Sequence, residues 1–361
     1  MLKILAISTA MTTFFASFRI KLCAKPTRHL TLDRALDIFI GKTKKNRDLS
    51  QEVVDLGIKY INRLKIQYLT EFWSPVFRRK FYHLNILVNE FAGNLDEAIN
   101  WARKGYYFFS QLPYDYIKPK IVFLLHITNS YIRLGNFPEA GQVIGTSLKI
   151  QSVGDHNWFM GMWMYTQLSI ITKEYDAAVL TYNNMVSTSS FDSQKDDNKQ
   201  YIFIMGFYLK YITTIDQSVT KKIENMGCKS ISMEEMPEFD ILKSRINAPI
   251  LIISFAFKAF QSKYKDMTKI ASELSKYRPS RYSKKTPQFR TYTFIKLINN
   301  IVDGNFNKAA ISRKNNNFLE QLKASQFRIT EQKQALEIIP YEALWEMVIV
   351  NLKTPKRLAR Y

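Results

Sequence analysis

Three copies of one short pattern constrain the fold of this chain more tightly than its composition does. Gly93-Asn94-Leu95-Asp96-Glu97-Ala98, Gly135-Asn136-Phe137-Pro138-Glu139-Ala140 and Gly304-Asn305-Phe306-Asn307-Lys308-Ala309 each place a glycine, an asparagine, a large apolar residue and an alanine at the same offsets. A fourth copy, Lys173-Glu174-Tyr175-Asp176-Ala177-Ala178, lacks the glycine. Each position has a role in turning one helix into the next. Glycine adopts the left-handed conformation that closes a helix. The residue after it can cap the next helix, and an acid in the first turn complements the helix dipole. The large apolar residue fills the gap between the two helices, and the alanine has to be small because they cross there in close contact. The pattern therefore predicts antiparallel helix pairs, each burying one face and requiring neighbours to complete a core.

The spacing resembles the tetratricopeptide repeat. In that family a tyrosine of the first helix precedes the glycine by four residues and the small residue follows it by five. Tyr131, Gly135, Phe137, Ala140 and Leu148 fit the pattern best. Gly93, Leu95 and Ala98 fit with Asn89 in the tyrosine position, and Tyr175, Ala178 and Tyr182 fit with Lys173 in the glycine position. Gly304, Phe306 and Ala309 fit with Asn300 for the tyrosine. The alanines at 98, 140 and 178 are separated by 42 and then 38 residues, longer than the family's usual repeat. The stretch from Ala178 to Ala309 leaves room for two or three weaker units.

The resemblance implies an all-α fold, a right-handed superhelix of stacked antiparallel helix pairs, with a concave groove that binds a protein or peptide. It places Leu125, Asn129 and Arg133, and one unit later Met160, Trp163 and Gln167, on the groove-lining face. A methionine and a tryptophan suit peptide capture, although core filling between repeats explains them equally. The family's clamp for a C-terminal carboxylate is not implied, because Leu87 and Gln167 stand where its polar residues would be.

Composition agrees with helices. Hydrophobic residues make up 46% and charged residues 23% of 361 residues, which supplies a core, and 12 glycines and 11 prolines are few for a sheet-rich enzyme. Three regions follow: 1–30, which reads as a first helix or a weak signal-like segment; 31–187, N-terminal repeats; and 188–361, degenerate and more basic repeats. Thr31 and Ser50 are candidate helix caps, and Pro75, Pro119 and Pro287 fall near helix starts. Ser187 to Lys199 and Glu224 to Asp240 read as loops. Gly141 and Gly145 form a small-xxx-small pair that predicts close packing, and Trp158 to Tyr165 is apolar on all sides, which predicts a buried helix.

Charge offers the alternative partner. The formal net charge is +21, and Lys258 to Tyr361 holds 21 Lys plus Arg against 8 Asp plus Glu. Lys276, Arg278, Arg281, Lys284, Lys285 and Arg290 cluster without an acid and with Tyr277, Tyr282 and Phe289 among them. A phosphate-contacting loop with stacking aromatics has this composition, and so does a solvated loop punctuated by Pro279 and Pro287.

No catalytic chemistry is visible. His29, His83, His126 and His156 stand alone, and His126 lies in an apolar run that suits a core histidine. Neither a metal-ligand motif, a nucleophile elbow nor a phosphate-binding glycine loop is present, so no enzyme activity and no cofactor are expected. Cys23 and Cys228 are far apart, which fits a reducing, cytoplasmic setting; export is the alternative if 1–24 is a signal. No uncharged apolar run approaches the length of a membrane span. The expected function is a non-enzymatic protein- or peptide-binding scaffold; the alternative is a nucleic-acid- or polyanion-binding regulator that uses the basic C-terminal third.

Overall fold

The computed structural model describes residue 39 and residues 51–68, 74–227, 231, 247–277, 287–325 and 337–353. Thr31, Ser50, Cys23, Cys228 and the 1–30 segment lie outside them. The described residues form fourteen α-helices and no strand. These are α1 (Gln51–Tyr68), α2 (Pro75–Ala92), α3 (Leu95–Ser110), α4 (Ile117–Leu134), α5 (Phe137–Lys149), α6 (His156–Ile171) and α7 (Tyr175–Val186). They continue as α8 (Asp196–Ile215), α9 (Gln217–Asn225), α10 (Asn247–Phe260), α11 (Tyr264–Ser275), α12 (Pro287–Asp303), α13 (Lys308–Ala324) and α14 (Tyr341–Asn351).

The turns between paired helices repeat one backbone design. Gly93 and Gly135 take φ of 82° and 80°, and the two residues without a glycine's freedom, Lys173 and Ser262, take 64° and 57°. In each, the next residue's N–H reaches back to the carbonyl five residues earlier: Asn94 to Asn89, Asn136 to Tyr131, Glu174 to Ser169 and Lys263 to Lys258, at 2.8–2.9 Å. Two otherwise orphaned carbonyls at each helix end are satisfied this way. The residue after the left-handed one has ψ of 64–71° in all four turns, and its carbonyl accepts from Ala98, Ala140, Ala178 or Met267. Those four residues are all 0% exposed, as a close helix crossing requires.

The turn at Ser262 is a copy that the sequence pattern hides, because serine stands for glycine and methionine for alanine. Asn94 and Asn136 do not cap through their side chains, contrary to the expected role, which explains why Glu174 and Lys263 serve equally well there. The turn after α12 departs from the design. Gly304 does not take the left-handed conformation; Asn305 and Phe306 do, and Asn307 caps α13 by accepting from Ala309 and Ala310. The extra turn residue moves Ala309 to the surface and puts Ile311, 1% exposed, in the core. Between Lys173 and Ser262 a further pair, α8 and α9, turns at Asp216, which caps α9 through its side chain. The turn positions 93, 135, 173, 216, 262 and 305 advance in steps of 42, 38, 43, 46 and 43.

The chain divides into two compact units within α6, ahead of the boundary expected at 187: one is Met1–Leu168 with Thr188–Ser190, the other Ser169–Ser187 with Phe191–Tyr361. In the first, α1 to α5 pack each on the next, and α2 also packs on α4. Phe81, Tyr82, Trp101, Phe108, Phe109 and Phe123 build its aromatic core at ring separations of 5.1–6.4 Å. Fully burying such a ring contributes roughly 1.5–3 kcal/mol. Close approach falls at Gly105, where a Cβ would stand 2.6 Å from the Phe123 ring. It does not fall at Gly145, which has open space, while a Cβ on Gly141 would meet only Leu168 at 3.8 Å. In the second unit α7, α8 and α9 pack together, α8 packs on α10, α10 to α13 pack in sequence, and α14 rests on α10, α12 and α13.

Helix starts are close to expectation, while most of the loop expected over Glu224 to Asp240 lies outside the described residues and Glu224 and Asn225 belong to α9. Ser74 accepts from Phe77 N–H at 3.3 Å and Pro75 follows at the first helical position. Pro287 opens α12. The loop after α7 is shorter than its polarity implied, because Asp196 already begins α8.

Candidate functional site

The residues expected to line a groove come from α4 and from the part of α6 up to Leu168, which belong to the first unit. Most of it is covered. Leu125, Asn129, Trp163 and Gln167 are buried, at 2%, 8%, 6% and 0% exposure, and Arg133 and Met160 are half-buried. Along α2 and α4 the central residues are buried in unbroken runs, 81–88 and 123–130. Their partners α3 and α5 instead bury a single stripe, such as Ala98, Ala102, Gly105 and Phe109. The apolar helix α6 is enclosed as its composition implies: Trp158, Phe159, Met162, Trp163 and Met164 are all buried.

The polar residues of α4 turn towards α2. Glu90, at the end of α2, accepts from or pairs with His126 Nδ1 at 3.0 Å, and Ser130 Oγ donates to the same carboxylate at 3.5 Å. Arg133 Nη2 donates to the Glu90 carbonyl at 3.0 Å. Burial opposes the carboxylate's charge, but the His126 and Arg133 charges and bonds from His126 and Asn129 outweigh it and hold the carboxyl below its ordinary value. The His83 ring lies 5.2 Å from that of His126. Burial, then His126 and then Arg79 push its pKa well down, so His83 is neutral. Sequence reasoning saw His126 as a core histidine but had no signal for Glu90, whose partner is 36 residues away.

On α6 Thr166 donates to the Met162 carbonyl at 2.8 Å, but several other polar groups have no partner. The amide oxygen and nitrogen of Gln167, the indole N–H of Trp163 and the hydroxyl of Ser169 are buried without a hydrogen bond. Leaving such a group unpaired costs about 1–3 kcal/mol each, so these are expensive residues to keep.

The basic segment is divided. Arg278, Arg281, Lys284 and Lys285 lie outside the described residues. Lys276 is exposed and bonds Glu273 at 2.7 Å. Arg290 is not part of a cationic surface: it is 4% exposed and its guanidinium is fully engaged inside the second unit. It makes a two-bond fork with Glu337 at 2.8 and 2.9 Å, bonds Glu342 at 2.6 Å, and donates to the carbonyls of Leu322 and Ser325 at 2.6 Å. Burial opposes its charge, but Glu337 and Glu342 outweigh that and raise its pKa further. Phe289 is 2% exposed and cannot stack on a base, and burial pushes the Tyr277 phenol up to about 12. Exposed cations of the second unit include Lys265, Lys269 and Lys276 on and just after α11, and Arg313, Lys323 and Lys314 on α13, the last within 3.4 Å of Asp303.

No catalytic constellation is assembled among the described residues. Among the described residues no group of three His, Cys, Asp or Glu side chains could hold a metal ion, and no described helix is long and apolar enough to cross a membrane. A cavity of ≈ 90 Å³ in the second unit is lined by Val179, Lys210, Thr213, Thr214, Thr220 and Ile223. Its three threonine hydroxyls are spent on backbone carbonyls of Lys210 and Thr213, which leaves it a space for water. Comparison with known proteins yields no match: no family model, no curated protein and no solved structure is similar to this chain.

Proposed function

We propose that the chain is a non-enzymatic helical-repeat scaffold of the tetratricopeptide-like kind, a right-handed stack of antiparallel helix pairs that binds another protein or a peptide. The observation that carries this reading is one turn design at Gly93, Gly135, Lys173 and Ser262, set in a series of helix-pair turns spaced 38–46 residues apart, with helices that pack on their neighbours and also two elements on, as α2 does on α4 and α8 on α10. Such an arrangement spends sequence on repeating an interface rather than on converging side chains upon a reacting atom. The groove-face residues are mostly covered, so recognition involves the half-buried rim at Arg133 and Met160 first.

A second reading has its own observation. Exposed Lys265, Lys269, Arg313, Lys314 and Lys323 place a cationic face on α11 and α13, which suits a nucleic acid or another polyanion. The two readings separate by salt. The full chain is immobilised and challenged with native lysate at low and high salt, with and without nuclease, beside a variant carrying Lys265→Glu, Lys269→Glu, Arg313→Glu and Lys323→Glu. Retention of a protein partner through salt, nuclease and charge reversal is expected. Retention abolished by all three overturns the scaffold reading in favour of polyanion binding.

A further inference from the structure

Water is the default occupant of the ≈ 90 Å³ cavity between α7, α8 and α9, but the side chains around it are set out for more than water. Lys210, Thr213 and Thr214 stand at i, i+3 and i+4 on α8, and Thr220, Ile223 and Glu224 repeat that spacing on α9, so each trio shares one side of its helix. Val179 of α7 and Ile223 supply a buried apolar wall. Opposite charges border the space: Lys210 is half-buried and Glu224 is exposed. Neither side chain makes an ion pair or hydrogen bond with a described residue, each other included. Thr213 and Thr214 commit their hydroxyl protons to the Lys210 carbonyl at 3.0 and 2.7 Å, and Thr220 commits its own to the Thr213 carbonyl at 2.7 Å. The three hydroxyls therefore offer the cavity lone pairs only, and among the lining side chains Lys210 alone has uncommitted protons. The complement of that set is a small molecule carrying both charges.

We infer that this cavity is a binding site for a small free amino acid. The carboxylate of the ligand accepts from the Lys210 ammonium. Its own ammonium lies against the Glu224 carboxylate and donates to the Thr220 hydroxyl oxygen, and its side chain rests on Val179 and Ile223. Size sets a limit on that side chain. A cavity of about 150 Å³ admits a benzene ring, so ≈ 90 Å³ encloses roughly four heavy atoms. Alanine fits that limit with its ammonium at the exposed Glu224 edge, and phenylalanine exceeds it. The site needs no macromolecular partner, so it stands whichever of the two partner readings holds.

The probe is L-alanine, titrated calorimetrically with the full chain up to about 10 mM, beside ethylamine, propionate and L-phenylalanine. Saturable binding of alanine is expected. Ethylamine and propionate are each expected to bind at least roughly tenfold more weakly, because each keeps one charge-assisted contact and loses the other, and phenylalanine is expected not to bind. Lys210→Met and Glu224→Gln should each weaken alanine roughly tenfold, whereas Lys221→Gln, exposed on the same helix but not lining the cavity, should leave it unchanged. Should Lys210→Met fail to fold, Glu224→Gln decides alone, since it is a conservative change at an exposed residue. No saturable binding of alanine to the wild-type chain means that the space holds water only, and overturns the inference. Alanine held as tightly by Glu224→Gln as by wild type also overturns it, as does propionate or ethylamine bound as tightly as alanine.

Discussion

The turn at Gly135 in the first unit and the turn at Ser262 in the second have the same backbone and different residues at each conserved position. Both close a helix with a left-handed residue, return an N–H to the carbonyl five residues back, and bury a side chain completely at the crossing. In the first that side chain is Ala140; in the second it is Met267. The backbone bonds are what the turn needs, and the crossing residue is sized to whatever gap the neighbouring helices leave. The two units differ in the same way in their buried polar groups. The first holds Glu90 against one ring nitrogen of His126 at 3.0 Å; the second holds Glu337 against Arg290 in a two-bond fork at 2.8 and 2.9 Å.

The largest expected effect is in the second unit. Arg290→Met leaves Glu337 buried without its partner and frees the carbonyls of Leu322 and Ser325, so a loss of about 3–5 kcal/mol is expected in urea unfolding. A loss below about 1 kcal/mol would mean that water replaces the guanidinium and that the buried pair is not structural.

Exchanging the crossing residues tests whether the two turns are equivalent only in backbone. Met267→Ala opens a cavity and should cost about 2–4 kcal/mol, whereas Ala140→Met overpacks the first unit and should cost about 1–3 kcal/mol. Both should be destabilising in urea melts. If either is neutral, the crossing at that turn is loose and the repeat is closed by the backbone alone.

Acid should separate the units. His83 and Glu90 both have folded pKa values below their ordinary ones, so the folded first unit binds fewer protons than the unfolded chain. Its stability is therefore full above the unfolded values and declines as pH falls, first below 6.5 for His83 and then below 4.5 for Glu90. Four of the five tryptophans precede residue 168, so in a Trp345→Phe background fluorescence reports the first unit alone. Its urea midpoint should drop between pH 7.5 and 5.5, and His83→Phe should flatten that part of the profile. A midpoint that stays level over this range would show that His83 is not held neutral in the folded unit.

The smallest effect concerns the left-handed residues themselves. Ser262→Gly and Lys173→Gly relieve a side chain held at φ of 57° and 64°, and each should stabilise by roughly 0.5–1 kcal/mol. Gly135→Ser should destabilise by a similar amount, and equal stability in all three would show that these turns carry no strain.

Legibility in the sequence followed how local each feature is. The turns at Gly93 and Gly135, and the buried Ala98, Ala140 and Ala178, could be read because a glycine and an alanine five residues apart reflect the chemistry of a single turn. The turn at Ser262 could not be read, because the neighbouring helices, by supplying the packing, let serine and methionine take those places. Gly304 misled for the converse reason: the motif is intact, but one more residue enters the turn and Ala309 faces solvent.

The candidate site follows the same division. That α6 is apolar all round, and that Met160, Trp163 and Gln167 share a face, follows from helical spacing alone. That Trp163 and Gln167 are buried with unpaired polar atoms, that Arg290 is locked in an ion pair instead of facing a phosphate, and that Glu90 meets His126 across 36 residues, was decided only by tertiary structure. Spacing along one helix is set by bonds between near neighbours, whereas burial and pairing depend on which distant segment arrives opposite, and no single stretch of sequence carries that information.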